Sequence, residues 1–346
     1  MRKKLTYQSS GVDIRAGNEA KEKIKKLARS TFTPAVLKGI GGFGGFFAIN
    51  PKEYKNPVLL SSVDSVGTKL KVAFMMGKHD TVGEDIVNHC VNDILVHGAK
   101  PLFFLDYIGI GKLDPVVVAE IVKGLAKANR NVGCALVGGE TAELSEFYKI
   151  GEYDLAGCIV GVVEKKKIID GSKIRPGDQI LGLKSSGLHT NGYTLARKVL
   201  FDVAHLRVND YVKELKMTLG NELLKVHHCY APSILSTLKK FEIKGMAHIT
   251  GGGIQGNLSR ILPENCDAQI HTDSWKVLPI FEFIQSKGNI DNEEMFKVFN
   301  MGIGLILVAS KQKTHKVLNQ LSSLKETVYH IGEITKGKGN VNLLNL

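Results

Sequence analysis

Apolar positions in the first half of the chain follow two alternating rhythms. Pro57-Val-Leu-Leu-Ser-Ser-Val63 reads as a buried strand that ends at Asp64. Leu102-Phe-Phe-Leu-Asp-Tyr-Ile108, Cys134-Ala-Leu-Val137 and Leu155 to Val163 read as further strands. Between them, Asp80 to Ala99 and Pro115 to Arg130 carry helical periodicity. In the second of these helices Pro115 opens the first turn, and Val117, Ile121, Leu125 and Ala128 form one stripe. Glu120, Lys123, Lys127 and Arg130 fall outside that stripe. The pattern changes over Glu164 to Asp178, a polar stretch punctuated by Gly and Pro. A strand over Gln179–Leu183 follows, then a helix from Asn191, another over Asn221 to Phe241, and a late strand over Ile303 to Ala309. These elements predict an α/β or α+β protein of two domains, residues 1–169 and 170–346. No repeat of solenoid length is present.

Composition narrows the class. A chain of 346 residues with 43% hydrophobic residues has enough apolar surface for two cores and is not a disordered chain. No apolar run approaches the roughly 18 residues of a spanning helix. The charged start Met1-Arg2-Lys3-Lys4-Leu5 has no apolar stretch behind it, which argues against a secretory signal. Cys90, Cys134, Cys158, Cys229 and Cys266 are scattered and never spaced as CxxC. That usage fits a reducing, cytoplasmic setting better than a disulfide framework or a zinc ribbon. The formal net charge of +12 raises nucleic acid as a partner, yet the basic residues are dispersed, with Lys165-Lys166-Lys167 the tightest cluster. Aromatic residues do not interleave with them as stacking platforms would. Attraction of small anionic metabolites explains the charge as well.

Several segments carry candidate chemistry. Gly39-Ile-Gly-Gly-Phe-Gly-Gly-Phe46 is a dense glycine loop whose amides can cradle phosphate, or a tight structural turn; it is neither a P-loop nor a dinucleotide fingerprint. Asp64-Ser-Val-Gly-Thr-Lys69 puts a carboxylate at a strand end with a lysine after it, which suits either a Mg²⁺-phosphate site or a helix cap. On a helical wheel Asp93 falls within about 20° of Ile86, inside an apolar stripe, so it needs a cation or strong donors. His89 and His97 flank it, and local hydrogen bonding explains them better than zinc. Gly138-Gly-Glu-Thr-Ala-Glu143 offers a second acidic position after a glycine pair. Together Asp64, Asp93 and Glu140 form an oxygen-rich set suited to Mg-nucleotide. Ser185-Ser-Gly-Leu-His-Thr-Asn-Gly192 gathers hydroxyls, an imidazole and an amide before a helix, and His248-Ile-Thr-Gly-Gly-Gly253 is another anion nest or loop. Asn300-Met-Gly-Ile-Gly304 reads as a turn. A GxSxG nucleophile elbow is absent, which disfavours covalent hydrolysis.

These motifs, in this order, resemble the phosphoribosylformylglycinamidine cyclo-ligase family. The likeness starts at Tyr7-Gln-Ser-Ser-Gly-Val-Asp-Ile-Arg-Ala-Gly-Asn18 and runs through GGFGG, SVDSVGTKL, GCALVGGETAE, SSGLHTNGY, HITGGG and MFKVFNMGIG, so it spans nearly the whole chain. It implies an ATP-dependent ligase of purine biosynthesis that closes the ring of formylglycinamidine ribonucleotide to give aminoimidazole ribonucleotide, ADP and phosphate. It also implies Mg²⁺ with ATP as co-substrate, no organic cofactor, no nucleic-acid or membrane partner, and a cytoplasmic homodimer. The N-terminal domains of that dimer would build a shared β-barrel, with an α/β domain beside each. By the same resemblance Lys25, Gly41, Gly42, Gly44, Gly45, Lys69 and Thr141 serve ATP and its phosphates, while Asp64, Asp93 and Glu140 hold metal. His189, Asn191, Gly251, Gly252 and Gly253 bind substrate. The catalytic assignments are His189, Lys25 and Asp93. Ser65 stands where the family often has Gly, which narrows the backbone freedom of that loop. The alternatives are a small-molecule kinase of the same superfamily, similar to thiamine-monophosphate kinase, and a non-catalytic basic nucleic-acid-binding protein.

Overall fold

The computed structural model describes residues 14–346, so the Tyr7-to-Asp13 part of the first motif lies outside the described residues. The chain forms two compact units. The first runs to Cys90 and resumes over Pro101–Val162; the second takes Val91–Lys100 and Val163–Leu346.

The first unit contains α1 (Ile14–Arg29), β1 (Val36–Lys38), β2 (Phe46–Phe47), β3 (Pro57–Ser65), α2 (Leu70–Met76) and most of α3 (Asp80–Leu95). It continues with β4 (Lys100–Ile110), α4 (Pro115–Val132), β5 (Ala135–Glu143) and β6 (Tyr153–Glu164). A four-stranded sheet has the order β3-β6-β4-β5, with β4 and β5 parallel. The helix α4 shows why these residues fold as they do. Asp114 caps it by accepting from Val116 N–H at 2.8 Å, Pro115 fits the first turn, and Gly133 ends it in the left-handed conformation. Val118, Ile121, Val122 and Leu125 are buried, each contributing about 1.5–3 kcal/mol relative to exposure. The helices α3 and α4 approach backbone to backbone: a Cβ on Gly83 would overlap the Ile121 carbonyl, and one on Gly124 the Asp80 carbonyl. This close crossing buries the α3 face of Val82, Ile86 and Cys90 completely.

The second unit contains β7 (Gln179–Lys184), α5 (Tyr193–Arg197), β8 (Tyr211–Val212), β9 (Met217–Thr218), α6 (Leu219–Leu223) and α7 (Ala231–Leu238). Then come β10 (Gly245–His248), α8 (Gly253–Leu258), β11 (Cys266–His271), α9 (Pro279–Gly288), α10 (Asn292–Val298), β12 (Ile303–Ala309), α11 (Thr314–Ser323), β13 (Val328–Lys336) and β14 (Val341–Leu344). Six strands form one sheet in the order β10-β12-β7-β13-β11-β14, with β12 buried along its whole length.

Three expectations are corrected. The curled, half-barrel sheet is made by strands of the second unit, residues 179–344, and not by the N-terminal domain. Register shifts between Ile303 and Leu305 and between His330 and Gly332 interrupt the ladders beside β7, and such bulges increase local twist. Second, β3 is not a buried strand. It lies at a sheet edge and alternates, leaving Leu59 and Val63 on an exposed face. Third, Asn221 to Phe241 is not one helix. Its chain leaves α6 after Leu223 and re-enters helix only at Ala231, where Pro232 fits the first turn.

Candidate active site

In the first unit, the end of β3 turns sharply. Asp64 Oδ1 accepts from Ser65 N–H at 2.6 Å, and Asp64 Oδ2 meets His89 Nε2 at 2.7 Å. Ser65 is still in strand, and the positive φ falls on Gly67, so the serine costs this loop nothing in backbone strain. Lys69 follows in a single 3₁₀ turn. Its ammonium is fully buried and lies 2.8 Å from the equally buried Asp85 carboxylate. Burial pulls the Lys69 pKa down, opposed by the charge of and hydrogen bond to Asp85. In this arrangement Lys69 faces a carboxylate inside the unit.

The strand β5 continues past Val137 through Glu143, so Glu140 and Thr141 are strand residues, opposite Tyr107 and Ile108 of β4. The neighbouring pair is Asp106 and Gly139, and the Asp106 carboxylate packs where a Cβ on Gly139 would stand. Burial pushes the Asp106 carboxyl up to about 7, and the charge of Glu140 adds to the rise. The sequence reading missed Asp106, because an acid inside an apolar strand run carries no motif. The glycine loop rests on the same strand: a Cβ on Gly45 would stand 2.8 Å from Val137 Cγ2. Lys25 projects from α1, half-exposed and 2.7 Å from Glu22, with its Cε 3.9 Å from where a Gly41 Cβ would be. The end of α1 is fastened to β5 by Leu136 N–H, which donates to Thr31 Oγ1 at 2.8 Å. Lys25, the glycine loop and the Leu136–Val137 part of β5 are thus brought together.

In the second unit, Asn300 fixes the segment after β7. Its Oδ1 accepts from the Ser185 hydroxyl, and its Nδ2 donates to the Gly187 carbonyl, both at 2.9 Å. The Asn300 segment, read from sequence as a turn only, is therefore part of the scaffold. His189 is buried with φ of 63°, and its Nε2 accepts from Ser186 N–H at 3.1 Å. Asn191 Oδ1 would lie 3.4 Å from a Cβ on Gly251. The side chain of Asn257 donates from Nδ2 to the Gly253 carbonyl at 2.8 Å, while Gly252 and Gly253 both have positive φ. Two sequence-distant motifs, SSGLHTNG and HITGGG, therefore meet. Asp93 Oδ1 accepts from His248 Nδ1–H at 2.8 Å, which supplies the partner its place in an apolar stripe required. His97 Nδ1 lies 3.0 Å from the Ile169 carbonyl, so its partner comes from a segment distant in sequence and not from the local hydrogen bonding expected for it.

The architecture places the chain in a recognisable class. Its residues 49–163 match the family model "AIR synthase related protein, N-terminal domain", and residues 175–343 match "AIR synthase related protein, C-terminal domain". A solved thiamine-monophosphate kinase from Stenotrophomonas maltophilia K279a shares the fold with a TM-score of 0.71 at 15% identity, over 94% of this chain and 95% of that one. Curated relatives go further. The phosphoribosylformylglycinamidine cyclo-ligase of Syntrophotalea carbinolica is 54% identical over 96% of this chain and 95% of its own length. That of Alkaliphilus metalliredigens is 52% identical over 98% of both. The chain belongs to the phosphoribosylformylglycinamidine cyclo-ligase family.

Proposed function

We propose that the protein closes the imidazole ring of formylglycinamidine ribonucleotide at the expense of ATP, giving aminoimidazole ribonucleotide, ADP and phosphate. The observation that carries this reading is identity above 50% to cyclo-ligases along nearly the whole chain. An amide oxygen is a poor leaving group and phosphate a good one. The γ-phosphoryl group therefore moves first to the formamide oxygen. The amidine-side nitrogen then attacks the activated carbon, a C–N bond forms, the C–O bond breaks and phosphate leaves. Positioning and charge neutralisation do most of this work.

Lys25 and the backbone of Gly41, Gly42, Gly44 and Gly45 bind ATP phosphates in this reading, with Thr141 beside them on β5. The approach of Lys25 to Gly41 and of Gly45 to Val137 of β5 supports the role of the loop. Lys69 acts on the nucleotide only through the loop it anchors. Asp64 and Glu140, with Asp93 as the third acid the family implies, would hold Mg²⁺. Carboxylate oxygens are the donors a hard cation takes, and Asp64 keeps 41% of its side chain exposed; Asp64 on β3 and Glu140 on β5 stand on opposite edge strands of the four-stranded sheet, so they would serve separate cation positions. Magnesium, when bound, supplies charge neutralisation at the phosphate oxygens. His189 and Asn191 orient the substrate, the His189 imidazole takes up the proton released by the attacking nitrogen, and Gly251 to Gly253 bind the ribose phosphate through backbone amides. The protein acts as a homodimer, for which the outward Leu59 and Val63 of the edge strand β3 offer apolar surface. It works in the cytoplasm without nucleic acid or membrane. No helix among the described residues is long and apolar enough to cross a bilayer.

The test is turnover by purified protein with formylglycinamidine ribonucleotide, ATP and Mg²⁺. Stoichiometric ADP and a colorimetrically detected aminoimidazole support the reading. Phosphorylation of thiamine monophosphate in place of ring closure would reassign the substrate.

A further inference from the structure

Three of the segments singled out by sequence converge on a side chain that none of them contains. His227 lies in the seven-residue connection between α6 and α7 and has no exposed surface. Its Nε2 stands 3.0 Å from Nε2 of His248, the first residue of HITGGG, and 3.3 Å from Nδ2 of Asn92, the neighbour of Asp93. The opposite ring nitrogen, Nδ1, stands 3.3 Å from the hydroxyl of Thr190 in SSGLHTNG. The ring face stacks on that of His189 with centroids 3.9 Å apart and planes at 19°.

A residue that only filled space here would be apolar, because a buried imidazole needs partners for both nitrogens. Two facing imidazole nitrogens at 3.0 Å need a proton between them, since two bare lone pairs repel. The contact therefore links His227 to His248 and, through the 2.8 Å bond at His248 Nδ1, to Asp93. The loop that carries His227 is itself fastened on several sides. The Ser186 hydroxyl donates to the Val226 carbonyl at 2.6 Å, Asn92 Nδ2 to the His228 carbonyl at 2.8 Å, and Tyr230 N–H to Asn92 Oδ1 at 3.1 Å. Those two bonds of Asn92 fix which way its amide points, so its NH₂ group faces the imidazole pair. An amino group there would repel a bound cation, and parallel stacked rings do not direct their lone pairs to one point. The three imidazoles of His189, His227 and His248 have ligand atoms within 4.8 Å of one another, but this geometry suits proton sharing and stacking better than coordination.

We propose that His227 is a positioning residue for ring closure: its ring backs the face of His189 and joins Thr190 to the His248–Asp93 pair, holding them in one arrangement. This rests on the cyclo-ligase reading and on the role of His189 within it. The effect is indirect, because His227 has no surface through which to touch substrate. A misplaced group near the reacting atoms loses rate more than it loses binding.

The experiment measures ring closure by the wild-type protein first, so that absence of the activity altogether is seen separately. The variants are then His227→Phe, His227→Gln and His227→Asn. Phenylalanine keeps an aromatic ring for the stack, in a somewhat larger volume, but no hydrogen bonds. Glutamine carries an amide toward the Nε2 partners, and asparagine toward the Nδ1 partner. The expected result for His227→Phe is a kcat lowered by about 10- to 100-fold, with KM for ATP within about twofold and a folded protein by circular dichroism. Partial recovery of kcat is expected in at least one of the two amide variants. A wild-type kcat in folded His227→Phe would overturn the proposal. So would equal losses in all three variants that follow their thermal stabilities, which would make His227 structural only. Stoichiometric zinc or nickel in the purified wild type, lost in His227→Phe, would overturn it in favour of a metal ligand.

Discussion

Lys69 and Asp85 allow a structural role to be separated from a ligand-binding one. The family resemblance assigns the lysine to ATP phosphates, whereas the structure buries both side chains completely with 2.8 Å between nitrogen and oxygen. At that distance and an effective dielectric near 20, the attraction is about 6 kcal/mol, set against a desolvation penalty of several kcal/mol for each ion. The pair is therefore close to neutral as a unit, but each member alone is costly. Removing one charge strands the other in the interior, and Asp85→Asn or Lys69→Met is expected to destabilise the protein by about 3–5 kcal/mol. For a unit of this size that corresponds to a Tm lower by roughly 6–20 °C. The double variant Lys69→Met with Asp85→Leu is expected to regain at least half of the loss, because no ion is left unpaired. Scanning calorimetry and urea titration measure these values, and KM for ATP is taken well below the transition. A lysine devoted to phosphate behaves in the opposite way: Lys69→Met would raise KM for ATP about tenfold or more, leave Tm within about 2 °C, and gain nothing from the second substitution. That pattern would refute the structural assignment.

Three further outcomes follow from the same geometry. Gly304→Ala would drive a methyl group into the Tyr230 hydroxyl and to 2.5 Å from His189 Cε1; about 1–3 kcal/mol of stability and a disproportionate share of kcat should be lost, measured by urea titration and turnover. Asp93→Asn is expected to lower Mg²⁺-dependent turnover by about 100-fold or more while the fold survives, and unchanged turnover would remove Asp93 from the chemistry. The Asp106 carboxyl titrates near 7 in the folded state against 3.8 in the reference state, so the folded protein holds the extra proton between those values. Stability should therefore fall as pH rises from about 4 to about 7, by no more than about 1.4 kcal/mol per pH unit from this group. Asp106→Asn should flatten that slope in urea titrations between pH 5 and pH 8.

Elements whose ends are set by local chemistry were legible from the chain. Pro115 opens α4 as read, although the helix passes the expected Arg130 and ends at Val132 before Gly133, and the apolar run over Ile303–Ala309 is β12. Legibility failed where a tertiary partner decides. Asn221 to Phe241 has helical character throughout, yet its middle is pulled out of helix and held by Asn92, from a distant helix, and by Ser186. Pro232 was the available signal, since a helix running through it would lose a hydrogen bond. The placement of the curled sheet was equally invisible, because alternation along one strand does not say how many neighbours the sheet has or where its ladders slip. For the site, Asp64 lies near the end of its strand as read, whereas Glu140, read as following a strand, lies within β5. Asp85, Asp106 and His227 were not legible, because each touches a motif from outside it.

The glycines show why pattern alone overstates a phosphate site. GGFGG reads as a phosphate cradle or as a tight structural turn, and pattern does not separate the two. In the structure Gly45 has another reason to be glycine, because Val137 occupies the space of its Cβ, and Gly139 likewise makes room for Asp106. Gly44 differs: among the described residues nothing lies within 4 Å of its Cβ position, so their packing does not require glycine there. A close approach that the folded chain does not itself make is one a ligand can make. Under the proposed function Gly44, more than Gly45, is therefore the glycine expected to approach phosphate, and it stands in the same loop as Gly41, against which Lys25 rests.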